Sequence, residues 1–533
     1  MLATVHSATL QGIEGRVIRV EVDVAPGLPG FTIVGLADTA LQEARERVRG
    51  AIRNSGLAFP PRRITVNLAP ADLRKAGASL DLAIAVGILL GSEQVRATGR
   101  WAFIGELSLG GDLRPVPGIL PMVDALVRRG ARRVVVPTDA APEARLSHAV
   151  ECHAAANLTE VLLDLRRAGS RRGRVARLPD RVELTASADV VATVSTGATP
   201  APAPEREAIP SGSDVPDLAE VRGQALGRRA LEICLAGGHG LLLVGPPGSG
   251  KTLLARTIPG LLPPLSDAEA RVASAIVSAA GDGPLRELVR TRPFRAPHHT
   301  ISYAGMLGGG PRLAPGEVTR ADAGVLFLDE LPEFGRDVLE ALRQPLEDGR
   351  VAIVRVGGSV TLPARFQLVA AMNPCPCGGT GTDAGACRCK TGVPERYAGR
   401  VSGPLRDRID LWVEMPPVAH AQLLGRQRPE SSETVAARIA AARELAVSRR
   451  RVVNARLEGA RLRSACGLRA EDEALTAAIA AGAGLSARGV GRLLRVARTI
   501  ADLAEATTVR REHLEEAARF RVPSGPYAGR LAV

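Results

Sequence analysis

The chain spells GPPGSGKT from Gly245 to Thr252, and the reading of this stretch decides the fold. Gly245, Pro246, Pro247, Gly248, Ser249, Gly250, Lys251 and Thr252 fit the phosphate-binding pattern G-x-x-x-x-G-K-T. An apolar run (Leu241, Leu242, Leu243, Val244) precedes them, and a helix-forming run (Leu253, Leu254, Ala255, Arg256) follows. Strand, loop and helix in that order are the setting the pattern needs. The glycines let backbone N–H groups turn inward around phosphate oxygens, and the helix N-terminus adds positive potential. Lys251 is expected to reach the β and γ phosphates of ATP, and Thr252 to hold Mg²⁺.

The partner motif lies downstream. Gly324 to Glu330 read GVLFLDE, a buried strand that ends in two carboxylates. Asp329 is expected in the Mg²⁺ shell, and Glu330 is expected to polarise the attacking water. A third apolar strand, Phe366 to Met372, ends at Asn373, whose amide can reach the γ-phosphate or its water. Arginines in the segment from Gly403 to Leu411 can present a cation to a neighbouring subunit's phosphate. Arg488, Arg492 and Arg495 share one face of a later helical run and offer lid-side cations.

Bulk composition narrows the partner. The 533 residues carry a formal net charge of +13 and a sequence pI near 10.3, which favours a polyanion such as DNA, bound through its backbone without regard to sequence. Aromatic residues make up only 2%, so base stacking cannot be the main grip. The longest apolar run, Leu82 to Leu90, is too short to span a bilayer, and no secretory signal opens the chain. Seven cysteines in so long a chain do not form a disulfide scaffold. The expectation is a cytoplasmic protein without membrane partners.

Three regions and a linker are expected. Residues 1–165 mix strand-like and helical runs, an α+β pattern. Residues 166–214 form the linker, with an Ala-, Thr-, Ser- and Pro-rich stretch at its heart. Residues 215–417 alternate strands and helices, as in an α/β doubly wound parallel sheet. Residues 418–533 are Ala-, Leu- and Arg-rich and read as a helical lid.

Two further stretches are candidates. The runs of β-branched residues around Gly357-Gly358 read as a tight hairpin, with Arg355 near its tip as a phosphate contact. The Gly- and Pro-rich stretch from Thr300 to Glu317 reads as a mobile loop. Cys375, Cys377, Cys387 and Cys389 place four thiols within fifteen residues, a set that suits tetrahedral Zn²⁺; unliganded thiols in a loop are the alternative. Cys152, Cys234 and Cys466 read as buried small residues.

Taken together, these segments resemble the YifB family of magnesium-chelatase-like AAA+ ATPases, which includes the competence protein ComM. The resemblance covers nearly the whole chain. It includes Val221-Arg-Gly-Gln, Phe294-Arg-Ala-Pro-His-His-Thr-Ile-Ser, Ala371-Met-Asn-Pro-Cys-Pro-Cys-Gly and Arg400-Val-Ser-Gly-Pro-Leu-Arg-Asp-Arg-Ile-Asp. It implies an AAA+ core in a homo-hexameric ring, with helicase or branch-migration activity in recombination and transformation. Asn373 would be sensor 1, Arg408 the arginine finger and Arg495 the sensor 2 arginine, and the hairpin would face the pore. Arg406 stands where the family usually has an apolar residue. The histidine pair His298-His299 reads as structural.

The first region resembles the proteolytic domain of Lon-type proteases, a ribosomal-protein-S5-like fold. Ser79 falls at the nucleophile's position, but Leu120 occupies the place of the lysine base. A leucine cannot take a proton, so a non-proteolytic scaffold is expected. A chelatase-type motor acting on a protein partner is the alternative to a DNA motor.

Overall fold

The computed structural model describes residues 1–34, 39–70, 77–97, 100–170, 215–310, 313–355, 358–379, 387–425 and 429–521. Most of the expected linker therefore lies outside the described residues. Residues 166–170 do not belong to it, because the helix Leu158–Ser170 runs through them.

The N-terminal region is a seven-stranded mixed sheet. In spatial order its strands are Gly30–Val34, Arg63–Ala69, Glu14–Ala25, Leu2–Gln11, Trp101–Phe103, Arg133–Pro137 and Glu151–Ala155. The long hairpin of Leu2–Gln11 with Glu14–Ala25 pairs Leu2 with Asp23 and Gln11 with Glu14. Along Glu14–Ala25, Ile18, Val20, Val22 and Val24 are buried at every second position. That period of two is what fixes which face of the strand meets the core. The helices Thr39–Asn54 and Asp81–Gly91 pack into this core, and Ile119–Arg128 closes the other face.

The second sheet is all parallel. Its order is Phe294–Arg295, Val325–Leu328, Gln367–Met372, Leu241–Val244 and Leu411–Glu414. Every residue of Leu241–Val244 and Val325–Leu328 is buried, as a parallel strand covered on both faces requires. The P-loop strand sits between Gln367–Met372 and Leu411–Glu414, so the loop after it opens at a topological switch point. The lid helices Ser432–Arg450, Gly459–Cys466, Ala470–Gly482, Ala487–Leu503 and Arg511–Arg519 join the core cluster built around Leu231, Leu241 and Leu411. The fold is thus an AAA+ doubly wound sheet with a helical lid and an N-terminal α+β domain.

The two sheets are fastened together. The Gly118 N–H donates to Ser278 O at 2.9 Å. The buried Glu143 carboxylate accepts from Leu120 N–H at 3.0 Å, Ser278 Oγ at 2.5 Å and Leu285 N–H at 3.3 Å. The turn of the N-terminal hairpin presses on the AAA+ side: a Cβ on Gly12 would sit 2.5 Å from Val360.

Three local expectations need correction. The stretch 300–317 is not merely a loop. It holds the helix Tyr303–Leu307 with Met306 buried, a short ribbon pairing Gly308–Gly309 with Ala314–Pro315, and the start of the helix Glu317–Arg320. The β-hairpin forms from Arg350–Arg355 and Gly358–Pro363, but Arg355 pairs with Gly358. Gly358, expected in the turn, is therefore the first residue of the second strand. Cys234 and Cys466 are buried, whereas Cys152 is only partly so.

Candidate nucleotide site

The site grows from the end of Leu241–Val244. Gly245 passes so close to the neighbouring strand that a Cβ would lie 2.3 Å from Met415 O. Gly248 and Gly250 have φ of 77° and 89°, a region that suits glycine, and a Cβ on either would meet nothing within 4 Å. The loop is thus tight on its sheet side and open on its ligand side. Gln224 braces it from behind, its Nε2 donating to Ser249 O at 2.9 Å and Pro416 O at 2.7 Å. The helix Lys251–Arg256 then aims its N-terminus at the open side.

Four of the expected residues meet here. The Lys251 ammonium donates to Gly245 O at 2.8 Å, Pro246 O at 2.9 Å and Asn373 Oδ1 at 3.2 Å. Burial lowers its pKa, against the pull of Asp329 and Glu330. Thr252 Oγ1 donates to Asp329 Oδ2 at 2.6 Å, and Asp329 Oδ1 accepts the Glu330 N–H at 2.9 Å. A hydroxyl and a carboxylate converging beside a lysine fit a nucleotide's phosphates and Mg²⁺, a cation that takes oxygen ligands.

Glu330 has φ 51° and ψ 45°, a left-handed conformation that costs a non-glycine residue about 1 kcal/mol or more. The strained backbone turns its half-exposed carboxylate toward His299, whose Nδ1 lies 3.6 Å from Glu330 Oε2. His299 also packs at a tilt against His298, with ring centroids 4.1 Å apart, and meets Phe334 edge-on. One member of the histidine pair, read as structural from sequence, therefore lies beside the candidate water-polarising residue. A contact between residues 31 positions apart leaves no local signal, and neither does the bracing role of Gln224.

The arginines lie elsewhere. Asp410 and Leu411 donate their N–H groups to Gly240 O at 3.2 and 3.0 Å, so this segment sits where the parallel strands begin. The P-loop lies where they end, about 13 Å away for four residues at 3.3 Å each. Arg408 is at the beginning end, donating to Glu347 Oε2 and to Pro404 O, both at 2.6 Å. Arg492 lies 3.7 Å from Asp407 and 3.8 Å from Asp410. Burial pushes the Asp410 carboxyl up, but the His239 ring at 3.0 Å and the charges of Arg495 and Arg492 outweigh it and hold it below its usual value. Arg495 donates to Leu457 O at 3.3 Å. Among the described residues, no hydrogen bond or ion pair joins Arg408 or Arg495 to the P-loop cluster. Half-buried Arg406 keeps its Nε without a partner among the described residues. Arg400, by contrast, donates to Pro332 O and Glu333 Oε2, both at 3.1 Å, close behind Glu330 in the chain.

The four cysteine sulfurs gather within 4.8 Å of one another. The Gly379 N–H, then the thiols of Cys389 and Cys375, hold the Cys377 thiol down at about 6, while the Cys389 thiol hydrogen-bonded to it is pushed up to about 12. In the N-terminal domain, Ser79 is buried and donates to Ala8 O at 3.1 Å, and Leu120 is buried in place of a base. No helix among the described residues is long and apolar enough to cross a membrane.

A P-loop, a neighbouring strand that leads to an asparagine, a carboxylate-tipped strand beyond it and a helical lid define an AAA+ ATPase. Comparisons with known proteins specify which kind. Residues 217–423 match the family described as magnesium chelatase, subunit ChlI. Residues 20–140 match subunit ChlI of Mg-chelatase, and 429–521 its C-terminal region. YifB of Salmonella typhimurium is 42% identical over 523 residues, covering 98% of this chain and 97% of its own. YifB of Escherichia coli is also 42% identical with the same coverage. Competence protein ComM of Haemophilus influenzae is 39% identical over 524 residues, with 98% and 97% covered. The chain belongs to the YifB/ComM family of magnesium-chelatase-like AAA+ ATPases.

Proposed function

We propose that the chain is the subunit of a ring-shaped, ATP-driven motor that acts on DNA, with helicase or branch-migration activity in recombination and transformation. One observation carries the ring. The phosphate-binding residues and the arginines that would answer them stand at opposite ends of one sheet, so a second copy is needed to complete a site. Closed head-to-tail assembly meets that need, and six copies are the expected number.

In this reading Lys251 holds the β and γ phosphates, and Thr252 and Asp329 hold Mg²⁺. Mg²⁺, when bound, neutralises charge on the phosphate oxygens. Glu330 polarises the attacking water, and Asn373 orients it and senses the γ-phosphate through the same strand end that meets Lys251. Arg408 leaves Glu347 to stabilise the transition state in the adjoining copy, and Arg495 serves that same neighbouring site.

DNA is supported by the net charge of +13, by the hairpin carrying Arg355 and by the name of the relative ComM, a competence protein. The contacts would be to phosphate, inside a cytoplasmic ring. The test is ATP turnover with and without DNA. Stimulation that fades as salt rises and ignores base sequence is expected; turnover indifferent to DNA would set the DNA reading aside. A second reading, remodelling of a protein partner for metal insertion, is favoured by the magnesium-chelatase description of all three matched segments. The N-terminal domain is read as a scaffold without proteolytic activity.

A further inference from the structure

We propose that Cys375, Cys377, Cys387 and Cys389 bind one Zn²⁺ per chain, and that this zinc knuckle is a buttress of the P-loop that couples metal occupancy to nucleotide affinity. The coupling rests on the reading of residues 245–252 as the ATP site. The geometry of the sulfurs carries the metal half. Cys375 Sγ lies 3.4 Å from Cys377 Sγ and 3.6 Å from Cys387 Sγ, and Cys377 Sγ lies 3.6 Å from Cys387 Sγ. Cys389 completes a set whose sulfurs are all within 4.8 Å of one another. Four sulfurs at about 2.3 Å from a tetrahedral Zn²⁺ stand about 3.8 Å apart, so the cluster is already near the size of a zinc site. None of the four is in a disulfide. Two C-x-C pairs bring their thiols together across residues 378–386, and a metal would close that loop, which has little apolar content of its own.

The coupling follows from what the first pair touches. The strand Gln367–Met372 delivers Asn373, and Cys375 follows two residues later, fully buried. The Gly378 N–H donates to Cys375 O at 3.0 Å, closing a turn. That turn lies directly on the nucleotide loop: Gly378 has φ 71°, and a Cβ there would sit 2.5 Å from Pro247 Cδ. The knuckle thus begins two residues after Asn373, a hydrogen-bond partner of Lys251, and its turn backs Pro247. Zinc would order the turn from the far side through Cys387 and Cys389. A P-loop preshaped by the knuckle loses less freedom when it closes on phosphate, and by linkage bound nucleotide must then tighten the zinc by the same factor.

The experiment uses the full chain purified from zinc-supplemented medium. Metal content, competition with a chromophoric chelator, and fluorescent ADP binding are measured on the same samples. One zinc per chain is expected, lost in Cys377→Ser with Cys389→Ser and restored to metal-stripped wild type by added Zn²⁺. Co²⁺ in its place should give the intense thiolate-to-metal bands of a tetrahedral four-sulfur site. Stripping should weaken ADP binding by about fivefold or more, reversibly, and ADP should slow zinc loss to the chelator. In Lys251→Ala, ADP should leave zinc loss unchanged. Metal-free protein without cobalt bands would overturn the site. Stoichiometric zinc in protein that binds ADP equally well with and without it would overturn the coupling. Stoichiometric zinc in protein that binds no ADP would uphold the site and overturn the coupling together with the nucleotide reading.

Discussion

The two ends of the five-stranded sheet carry different chemistry. Where the strands end, the backbone is rich in glycine and the side chains are already joined: Lys251 to Asn373, Thr252 to Asp329, and Glu330 beside His299. Where they begin, arginines predominate, and their partners are carboxylates of the chain itself: Arg408 on Glu347, and Arg492 beside Asp407 and Asp410. One end can receive an anion, and the other holds cations that are covered and paired within the chain. In the proposed reading, a single chain owns two halves of a site and cannot bring them together. If the proposed ring holds, the difference teaches that nucleotide binding belongs to the single chain and hydrolysis to an interface between copies.

The sharpest way to break this comparison is to damage each end separately. Arg408→Ala should lower kcat by about a thousandfold, as loss of an arginine finger does, while the chain still binds ATP. A fully active Arg408→Ala would move the finger to Arg406, since Arg400 is already paired near the chain's own Glu330. Damage to the other end should look different. Glu330→Gln should retain ATP and lose turnover by about a hundredfold or more, whereas Lys251→Ala should weaken binding itself. Isothermal titration beside steady-state kinetics separates these outcomes, and normal turnover in Glu330→Gln would remove it from the water-polarising role.

Smaller effects sharpen the picture. Arg355→Ala should lower DNA-stimulated turnover more than basal turnover and reduce the salt dependence of binding by roughly one phosphate contact. Equal losses in both rates would mean a folding defect instead. His299→Ala should change kcat by only about two- to fivefold, because a partly exposed pair with Glu330 is worth about 1 kcal/mol or less. A larger loss would give His299 a direct part in the chemistry.

What could be read from the sequence was what is contiguous. The loop at 245–252, the strand ending in Asp329-Glu330, the strand ending at Asn373 and the paired cysteines each announce themselves within a few residues. Several strands of the first sheet did not. Leu2–Gln11 is interrupted by His6, Ser7 and Thr9, and it is held by contacts made far along the chain, such as Ser7 Oγ to Phe103 O at 2.7 Å. Trp101–Phe103 is only three residues long. The placement of the arginines was also hidden. Spacing put Arg488, Arg492 and Arg495 on one helical face, but only the packing of that helix against His239 and Asp410 shows that the face looks away from the chain's own P-loop. The insert at 300–317 looked like a loop because its glycines hide a helix anchored by Met306.

The most direct measurement is a mixture of two inactive proteins. Arg408→Ala chains keep the receiving end, and Glu330→Gln chains keep the presenting end. With free exchange at equal amounts, random assortment gives about one interface in four with both ends intact. The expected result is that ATPase activity, nearly absent from either protein alone, returns to a corresponding fraction of the wild-type rate when they are mixed. Confirmed co-assembly with no return of activity would contradict a site shared between neighbouring chains.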